Sequence, residues 1–291
     1  MQYIETLQKI FDLQNNILMV TDGNSPVKIN KAFINFYGID NINNFKNMIG
    51  CICNSFEHDD KFFHLGKVPK NYNWLDYIMT LSEIDKKVAI KSAKNIRHIF
   101  DIGVVKLDHK AFVVSLTDIS ETVNEKHMFE HLVNFDNLTQ AYTRTFFTNN
   151  IKRIIHEIAV TNNLLVGIAI FDVDNFKKVN DTYGHDIGDK VLKNIVNSVK
   201  NSIRRDDFLI RWGGEEFLLI MAVSNINELF NIIDQTRINI SNMLTDDFLI
   251  VTASFGISIC QNLSFIEQCI KTSDEALYLA KSNGKNRVEI K

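Results

Sequence analysis

Two adjacent glutamates that follow a pair of glycines form the segment of this sequence best suited to phosphate and metal chemistry. Gly213-Gly214-Glu215-Glu216 lies between two apolar runs, at residues 208–212 and 217–222. Glycine reaches positive φ without steric cost, so a Gly-Gly pair between strand-like runs predicts a β-hairpin. Such a turn lets a polyphosphate approach the backbone while the carboxylates hold a hard divalent cation. Taken alone, the same residues also fit an ordinary hairpin with two solvated glutamates.

A second acidic position follows an almost entirely apolar run at residues 164–171. This run predicts a central strand of the parallel type, buried on both faces, and ligands of open α/β sheets bind at the carboxyl ends of such strands. If the hairpin lies beside this strand, Asp172 and Glu215 converge and the Val173 carbonyl completes a ligand set for Mg²⁺. The alternative is that Asp172 and Asp174 only cap the next helix.

Composition limits the classes of function. The 291 residues are 45% hydrophobic and 23% charged, which fits one large folded domain or two ordinary ones. The net charge of −3 gives no general electrostatic case for binding nucleic acid or an anionic membrane. We find neither an apolar run of about 18 residues nor a signal peptide, so we expect a cytoplasmic protein without a membrane span. We expect Cys51 and Cys53 to be reduced thiols rather than metal ligands.

Residues 1–118 predict an antiparallel sheet with short helices. Strands are expected at 17–20, 27–29, 87–91, 98–107 and 111–117, the last two joined at Asp108-His109. Together with Asp22-Gly23, Asn30-Lys31-Ala32-Phe33, Gly38 and Asp118-Ile119, this order resembles a PAS domain, a family that usually senses a ligand or mediates dimers. His58, His64 and His98 are candidates for haem or metal, but a lone histidine is more often a surface or core residue. The ligand of this sensory domain is therefore left unknown.

The remaining chain predicts a helical connector and a second domain. Residues 119–135 are charged and lack proline and glycine, with a broken apolar stripe too short to establish a coiled coil. We expect this connector to lie beside its copy in a dimer. From residue 136 helices and strands alternate, which predicts an α/β (α+β) domain with a central sheet flanked by helices.

Residues 136–291 resemble the GGDEF family, the diguanylate cyclases, whose fold is of the nucleotidyl-cyclase or palm-like type. Several segments match the family in the right order along the chain. They are Asp136-Asn137-Leu138-Thr139, Phe171-Asp172-Val173-Asp174-Asn175-Phe176-Lys177, Asn180-Asp181, Tyr183-Gly184-His185-Asp186-Ile187-Gly188-Asp189, Gly213-Gly214-Glu215-Glu216-Phe217, Val251-Thr252-Ala253-Ser254-Phe255-Gly256-Ile257 and Ala280-Lys281-Ser282-Asn283-Gly284-Lys285-Asn286-Arg287.

The resemblance implies that two GTP molecules, one on each protomer of a homodimer, condense to cyclic di-GMP and two pyrophosphates. Asp172, the Val173 carbonyl and Glu215 would hold Mg²⁺ or Mn²⁺, which polarises the α-phosphate and lowers the pKa of the attacking hydroxyl. Glu216 would assist with the metal or the hydroxyl. Residues 1–118 would regulate this activity.

The resemblance also implies the substrate contacts. Phosphates would lie against Gly213 and Gly214 and meet the ammonium groups of Lys177, Lys281 and Lys285. The family usually has arginine at position 285, so lysine keeps the charge but loses the bidentate grip, and weaker binding is expected.

Base choice is expected to follow from Asn180 and Asp189. A carboxylate accepts from both guanine N1–H and the exocyclic amine, so the site should reject ATP. Some relatives that make mixed dinucleotides carry serine at the position of Asp189, which disfavours that activity here. Standing alone, both residues would be ordinary polar groups near helix starts.

Arg204 and Asp207 fit the RxxD product-inhibition site of the family. Arginine stacks on purines and pairs with the acceptor edge of guanine, while aspartate accepts from guanine donors. The motif is short, and its meaning comes from its fixed distance before Gly213.

Two other classes of function compete with the cyclase. A catalytically dead GGDEF domain would act only as a cyclic di-GMP receptor or scaffold, but such copies usually lose carboxylates that this chain keeps. A purely structural PAS-driven dimerisation module would leave the full set of active-site residues unexplained.

Overall fold

The computed structural model describes residues 2–107, 111–162, 164–243, 250–260 and 265–291. The chain divides into two compact units, Met1–His127 and Met128–Lys291. The division falls inside helix α5, Ser120–Asn134, which occupies most of the predicted connector. Among the described residues, no helix is long and apolar enough to cross a membrane.

The N-terminal unit is built on a five-stranded sheet with the order β2-β1-β5-β4-β3, in which every neighbouring pair is antiparallel. Its strands are β1 Ile17–Thr21, β2 Pro26–Ile29, β3 Lys87–Lys91, β4 Arg97–Lys106 and β5 Phe112–Asp118. Its helices are α1 Gln2–Asp12, α2 Lys31–Tyr37, α3 Ile42–Met48 and α4 Trp74–Ile78. The predicted antiparallel sheet is confirmed, whereas the PAS-like identity stays a prediction. The predicted joint at Asp108-His109 lies outside the described residues.

Helix α2 has a capping residue at each end. Asn30 is the N-cap, and its side chain accepts a hydrogen bond from the Phe33 amide. Gly38 ends the helix in the left-handed region, with φ of 60°, which glycine adopts without steric cost. Cys51 and Cys53 are joined as a disulfide, so the expectation of reduced thiols is wrong for this pair.

The candidate histidines lie at two places. The His58 and His64 rings are 4.2 Å apart, and His64 Nδ1 accepts from the Gly66 amide. His98 Nδ1 lies 2.7 Å from Asp118 Oδ2. Within the described ranges, no cluster of three or more His, Cys, Asp or Glu side chains is arranged for a metal ion.

The C-terminal unit contains a six-stranded sheet with the order β11-β10-β7-β9-β8-β6. Its strands are β6 Tyr142–Thr143, β7 Leu165–Val173, β8 Phe208–Arg211, β9 Glu216–Val223, β10 Ala253–Cys260 and β11 Val288–Ile290. Its helices are α6 Arg144–Asn162, α7 Phe176–Tyr183, α8 His185–Ser202, α9 Ile226–Ser241 and α10 Ile266–Ser282. The family-matching segment Val251-Thr252-Ala253-Ser254-Phe255-Gly256-Ile257 therefore runs into β10, which begins at Ala253.

Strand β7 is antiparallel to both of its neighbours, β9 and β10, so the expectation of a parallel-type strand is wrong. An apolar run indicates that a strand is buried on both faces, but it does not indicate whether the neighbouring strands are parallel or antiparallel. The burial itself is as predicted, because α8 and α9 pack on one face of the sheet and α6 and α10 on the other. The Phe171 ring stacks on Phe217 of β9 and on Phe255 of β10. This packing holds the three central strands in one register.

Candidate active site

Asp172 lies near the end of the central strand, where two neighbouring strands meet it. Its Cα pairs with that of Glu216 in β9 and with that of Ser254 in β10. Side chains directly opposite on antiparallel strands point to the same face of the sheet. The register therefore brings the carboxyl groups of Asp172 and Glu216 to the same end of the sheet.

A lysine of α10 supplies positive charge to this pair. Lys281 Nζ lies 2.9 Å from Asp172 Oδ2. Burial raises the pKa of Asp172, and the Lys281 ammonium opposes that rise without cancelling it. Burial also raises the pKa of Glu216, and the neighbouring Asp172 charge raises it further. The two neighbouring carboxylates therefore carry more negative charge than the Lys281 ammonium neutralises.

The Gly-Gly turn is held by backbone hydrogen bonds rather than by unusual backbone angles. The amides of Trp212 and Gly213 donate to the Glu216 carbonyl at 2.8 and 3.2 Å. Neither Gly213 nor Gly214 has a positive φ. The hairpin forms, but the expectation that its glycines adopt positive φ is wrong. Space is the requirement at Gly213, where an added Cβ would lie 3.1 Å from Glu216 Oε2. At Gly214 an added Cβ would meet no described atom within 4 Å, which leaves the backbone open.

The two hairpin glutamates differ in position. The Glu215 carbonyl accepts from the Val173 amide at 3.4 Å, so Glu215 lies across from Val173 while Glu216 lies across from Asp172. The predicted convergence of hairpin and strand is present, but the residue directly opposite Asp172 is Glu216. The carboxylates of Asp172 and Glu215 and the Val173 carbonyl are oxygen donors of the kind that Mg²⁺ or Mn²⁺ prefers.

Asp174 holds the site together instead of capping a helix. Its carboxylate accepts from Thr252 Oγ1 and Ser254 Oγ, both at 2.7 Å, and from the Asn286 amide at 3.0 Å. The N-cap of α7 is Asn175, whose side chain makes no capping bond. The helix-capping alternative is therefore wrong for Asp174. The buried Asp174 carboxylate therefore holds the turn that contains Asn286, after α10, beside the end of β7.

Two of the predicted phosphate contacts lie at this same end of the sheet. Lys285 follows α10 in the left-handed region with φ of 64°, and its Nζ donates to Asn175 Oδ1 at 2.6 Å. Lys281 contacts Asp172, as described above. Lys177 is exposed in the first turn of α7.

The predicted base contacts lie on α7 and α8. Asn180 is half-buried on α7, and Asp189 is exposed in the early part of α8. Gly188, next to Asp189, lies so close to Asn180 that an added Cβ would be 1.9 Å from Asn180 Oδ1. The structure thus brings Asn180 against the residue that precedes Asp189.

Arg211 is a site residue that sequence reasoning missed. Its Nη1 donates to Asp136 Oδ1 at 2.8 Å, and its Nε and Nη2 donate to the Gly214 carbonyl at 3.0 and 2.7 Å. Asp136 also accepts from the amide and hydroxyl of Thr139. The guanidinium therefore connects the start of this domain to the Gly-Gly turn. Two features of the sequence could have indicated this role: the position of the arginine two residues before Gly213, and the Asp136-Asn137-Leu138-Thr139 segment that begins the domain.

The RxxD residues lie beside a cavity of about 470 Å³ that is separate from the Asp172 cluster. Phe135, Tyr142, Lys200, Arg204 and Asp207 are among its lining residues. Arg204 Nη2 donates to Glu228 Oε1 at 2.9 Å, and Asp207 Oδ2 accepts from the Arg204 amide at 2.8 Å. Burial raises the pKa of Asp207.

This fold and this site together are those of a GGDEF domain. The family model described as "Diguanylate cyclase, GGDEF domain" matches residues 133–287, more than half of the chain, and the chain belongs to this family. The similarity of residues 136–291 to the family, inferred from their motifs, is confirmed.

Three known proteins illustrate the similarity. Diguanylate cyclase DosC of Escherichia coli K12 is 31% identical over 188 residues, covering 60% of this chain and 41% of the relative. Diguanylate cyclase SiaD, solved with its activator SiaC from Pseudomonas aeruginosa, gives a TM-score of 0.52 at 28% identity, covering 59% of this chain and 66% of that one. The coiled coil and GGDEF domain of DgcB from Caulobacter crescentus, solved with c-di-GMP, gives 0.51 at 25% identity, covering 59% and 95%. The chain thus spans less than half the length of DosC.

Proposed function

We propose that this chain is a diguanylate cyclase, a nucleotidyltransferase that condenses two GTP into cyclic di-GMP and two pyrophosphates. One observation carries the proposal: Asp172 and Glu216 lie opposite each other at a strand end, Glu215 precedes Glu216 in the chain, and Lys281 is bound to Asp172. A receptor that had lost its chemistry would have no need for these partly buried carboxylates, whose proximity destabilises the fold.

Asp172, the Val173 carbonyl and Glu215 would hold Mg²⁺ or Mn²⁺. The raised pKa of Asp172 supports this assignment, because burial disfavours its charge and Lys281 compensates it only in part. When bound, a divalent cation supplies charge neutralisation at the phosphates and favours loss of the proton from the ribose 3′-hydroxyl. Glu216, whose pKa is also raised, would accept that proton or hold it by a hydrogen bond.

The phosphates of GTP would lie over the Gly-Gly turn. The open backbone at Gly214 would admit them, and Lys281 and Lys285 contact Asp172 and Asn175 at the end of β7. Lys281 would leave Asp172 for a phosphate when the metal takes its place, and Lys177 would add a third ammonium group. Lys285 would bind as a point charge, without the two-pronged contact of an arginine.

Guanine would be selected by Asn180 and Asp189. Asp189 is exposed and acceptor-only when ionised, so it fits the N1–H and exocyclic amine of guanine, which adenine does not offer in that geometry. The contact between Asn180 and Gly188, the neighbour of Asp189, supports a single base site formed by both residues.

Two GTP sites must meet, so the active form would be a homodimer. The exposed apolar side chains Met128, Phe129 and Leu132 of α5 support pairing through this helix. In this arrangement residues 1–118 would act as a PAS-like sensory domain, 119–135 as the signalling connector and 136–291 as the cyclase domain.

Product inhibition would act at Arg204 and Asp207. The adjoining cavity supports this role, because it is lined by aromatic rings and cationic groups, which suit a guanine dinucleotide. In the ligand-free protein Glu228 holds Arg204, so the product would compete with that carboxylate.

The test is turnover of GTP with Mg²⁺ by the purified full chain, its Glu215→Ala variant and the exposed-site control Glu267→Ala. We expect cyclic di-GMP from the native protein and the control, and a loss of at least a hundredfold in Glu215→Ala. Native protein that binds cyclic di-GMP but makes none, under conditions in which it binds GTP, would favour a receptor instead.

A further inference from the structure

Gly188 is buried in the first turns of α8, directly against a polar side chain of α7. A Cβ built at this glycine would lie 1.9 Å from Asn180 Oδ1 and 3.0 Å from Asn180 Cγ. It would lie 3.2 Å from Phe176 Cζ, a contact that a small shift relieves. The Asn180 amide therefore occupies the space that any side chain at position 188 would fill.

The Asn180 side chain has one end buried and the other accessible. Its Oδ1 is buried and has no hydrogen-bond partner among the described residues. The residue as a whole is only half-buried, so the amide nitrogen lies on the accessible side. A carbonyl oxygen against a glycine Cα–H makes a weak favourable contact, whereas an N–H group in its place would face a hydrogen atom. Contact with Gly188 thus orients the amide with its oxygen inward.

We propose that Gly188 is a positioning residue for the purine base, acting through Asn180. Its bare Cα lets the Asn180 amide lie against α8 and present Nδ2, a donor, beside the acceptor Asp189. This inference rests on the proposed guanine site. A neighbouring donor and acceptor match the minor-groove edge of guanine, where N3 accepts and the exocyclic amine donates. Adenine also carries N3, so Gly188 would add affinity for purines while Asp189 distinguishes between them.

An alanine at position 188 separates this role from a structural one. The atom that must move is the end of a side chain, so α8 can keep its backbone while the Asn180 amide turns away. Alanine is also the better helix former, which offsets any loss of helix stability. A variant that stays folded but binds guanine nucleotides less tightly is the signature of positioning.

The experiment is calorimetric titration of the full chain with GDP and Mg²⁺. The proteins are native, Gly188→Ala, Asn180→Ala and the double variant, with Lys193→Ala on the exposed face of α8 as control. We expect Gly188→Ala and Asn180→Ala each to weaken binding by about tenfold, the effect of one lost hydrogen bond. The double variant should bind no more weakly than Asn180→Ala, because the steric conflict is gone. The Phe176 contact is made in both proteins that carry alanine at position 188, so it cancels in the coupling energy calculated from the four proteins of the cycle.

Two further readouts sharpen the result. A 3-deazaguanine nucleotide lacks the N3 acceptor, so its affinity should be the same for native protein and Gly188→Ala. In turnover, Gly188→Ala should raise KM for GTP by about tenfold and change kcat by less than about threefold. Native affinity in Gly188→Ala, or losses that add in the double variant, would overturn the inference.

Binding of GDP also separates this inference from the cyclase proposal. If the native chain binds GDP and makes no cyclic di-GMP, the cyclase proposal fails and the role of Gly188 is still decided by the titrations. If the native chain does not bind GDP, the base site is wrong and the role of Gly188 fails with it.

Discussion

Lys281 and Asp172 form an ion pair, with Nζ and Oδ2 2.9 Å apart, between the end of α10 and the end of β7. The side chain of Asp172 is mostly buried and that of Lys281 is partly exposed, so the pair is shielded on the carboxylate side. In the proposed mechanism both groups change partner together, Asp172 to the metal and Lys281 to a phosphate. The ion pair therefore partly neutralises the buried negative charge at the end of β7 in the absence of substrate.

Replacing Lys281 by methionine should weaken GTP binding by tenfold or more, because a phosphate contact is lost and Asp172 and Glu216 remain uncompensated. The measurement is KM for GTP and its dependence on Mg²⁺. Lys271→Met, an exposed substitution on the same helix, is the matched control. Equal KM values in native protein and Lys281→Met would show that Lys281 does not meet the substrate.

The bond between Arg211 and Asp136 should contribute both stability and activity. Loss of the guanidinium in Arg211→Ala frees the Gly214 carbonyl and leaves a half-buried Asp136. We expect about 1–3 kcal/mol of lost unfolding free energy, measured in urea, and a turn too loose for efficient turnover. Arg205→Ala, which removes an exposed charge six residues before Arg211, should leave unfolding free energy within about 0.5 kcal/mol of native.

The bond between Arg211 and Asp136 should also make the unfolding free energy depend on pH, in a direction that follows from the pKa of Asp136. Burial raises the pKa of Asp136, but hydrogen bonds from Thr139 and Arg211 outweigh it, so the pKa lies below the ordinary value of 3.8. A lowered native pKa stabilises the fold above the unfolded pKa, and this contribution is lost as pH falls through the native value. The difference in unfolding free energy between native protein and Asp136→Asn should therefore be largest near pH 6 and should decrease below pH 3.8. A difference that grew on acidification would contradict this assignment.

Arg204 should control product inhibition. Arg204→Ala is expected to remove inhibition by cyclic di-GMP, whereas Glu228→Gln should strengthen it severalfold by weakening the grip on Arg204. The measurement is the inhibition constant for cyclic di-GMP under initial-rate conditions. Lys193→Ala, which removes an exposed charge that does not line the cavity, serves as the charge control, since general attraction to the phosphates would make the two variants behave alike. Unchanged inhibition in Arg204→Ala would move the inhibitory site elsewhere.

Deleting residues 1–118 should change the turnover rate strongly and leave GTP affinity largely intact. The physical reason is that the predicted sensory domain and connector set how two sites meet, whereas each site is built within residues 136–291. Turnover and nucleotide binding are measured on the same preparation. An unchanged rate after the deletion would rule out control by the N-terminal region.

Local sequence patterns predicted most of the elements but few of the partners. The bounds of strand β3 were predicted from a short apolar run between two lysines, a signal that acts over a few residues. The bonds of Asp174 to Thr252 and Asn286, and of Arg211 to Asp136, join residues 75 to 112 positions apart. Such pairings depend on the sheet order, which hydrophobic periodicity does not encode. For the same reason the sequence predicted that the hairpin meets Asp172 but did not show that Glu216, rather than Glu215, lies directly opposite.

The most direct test of the account is to separate and weigh the products that the full chain forms from GTP and Mg²⁺. The account predicts cyclic di-GMP and pyrophosphate in a ratio of one to two, with both absent when Mg²⁺ is chelated and when Asp172 is replaced by asparagine. Hydrolysis to GDP without cyclic di-GMP, or product formation that survives Asp172→Asn, would contradict the proposed active site.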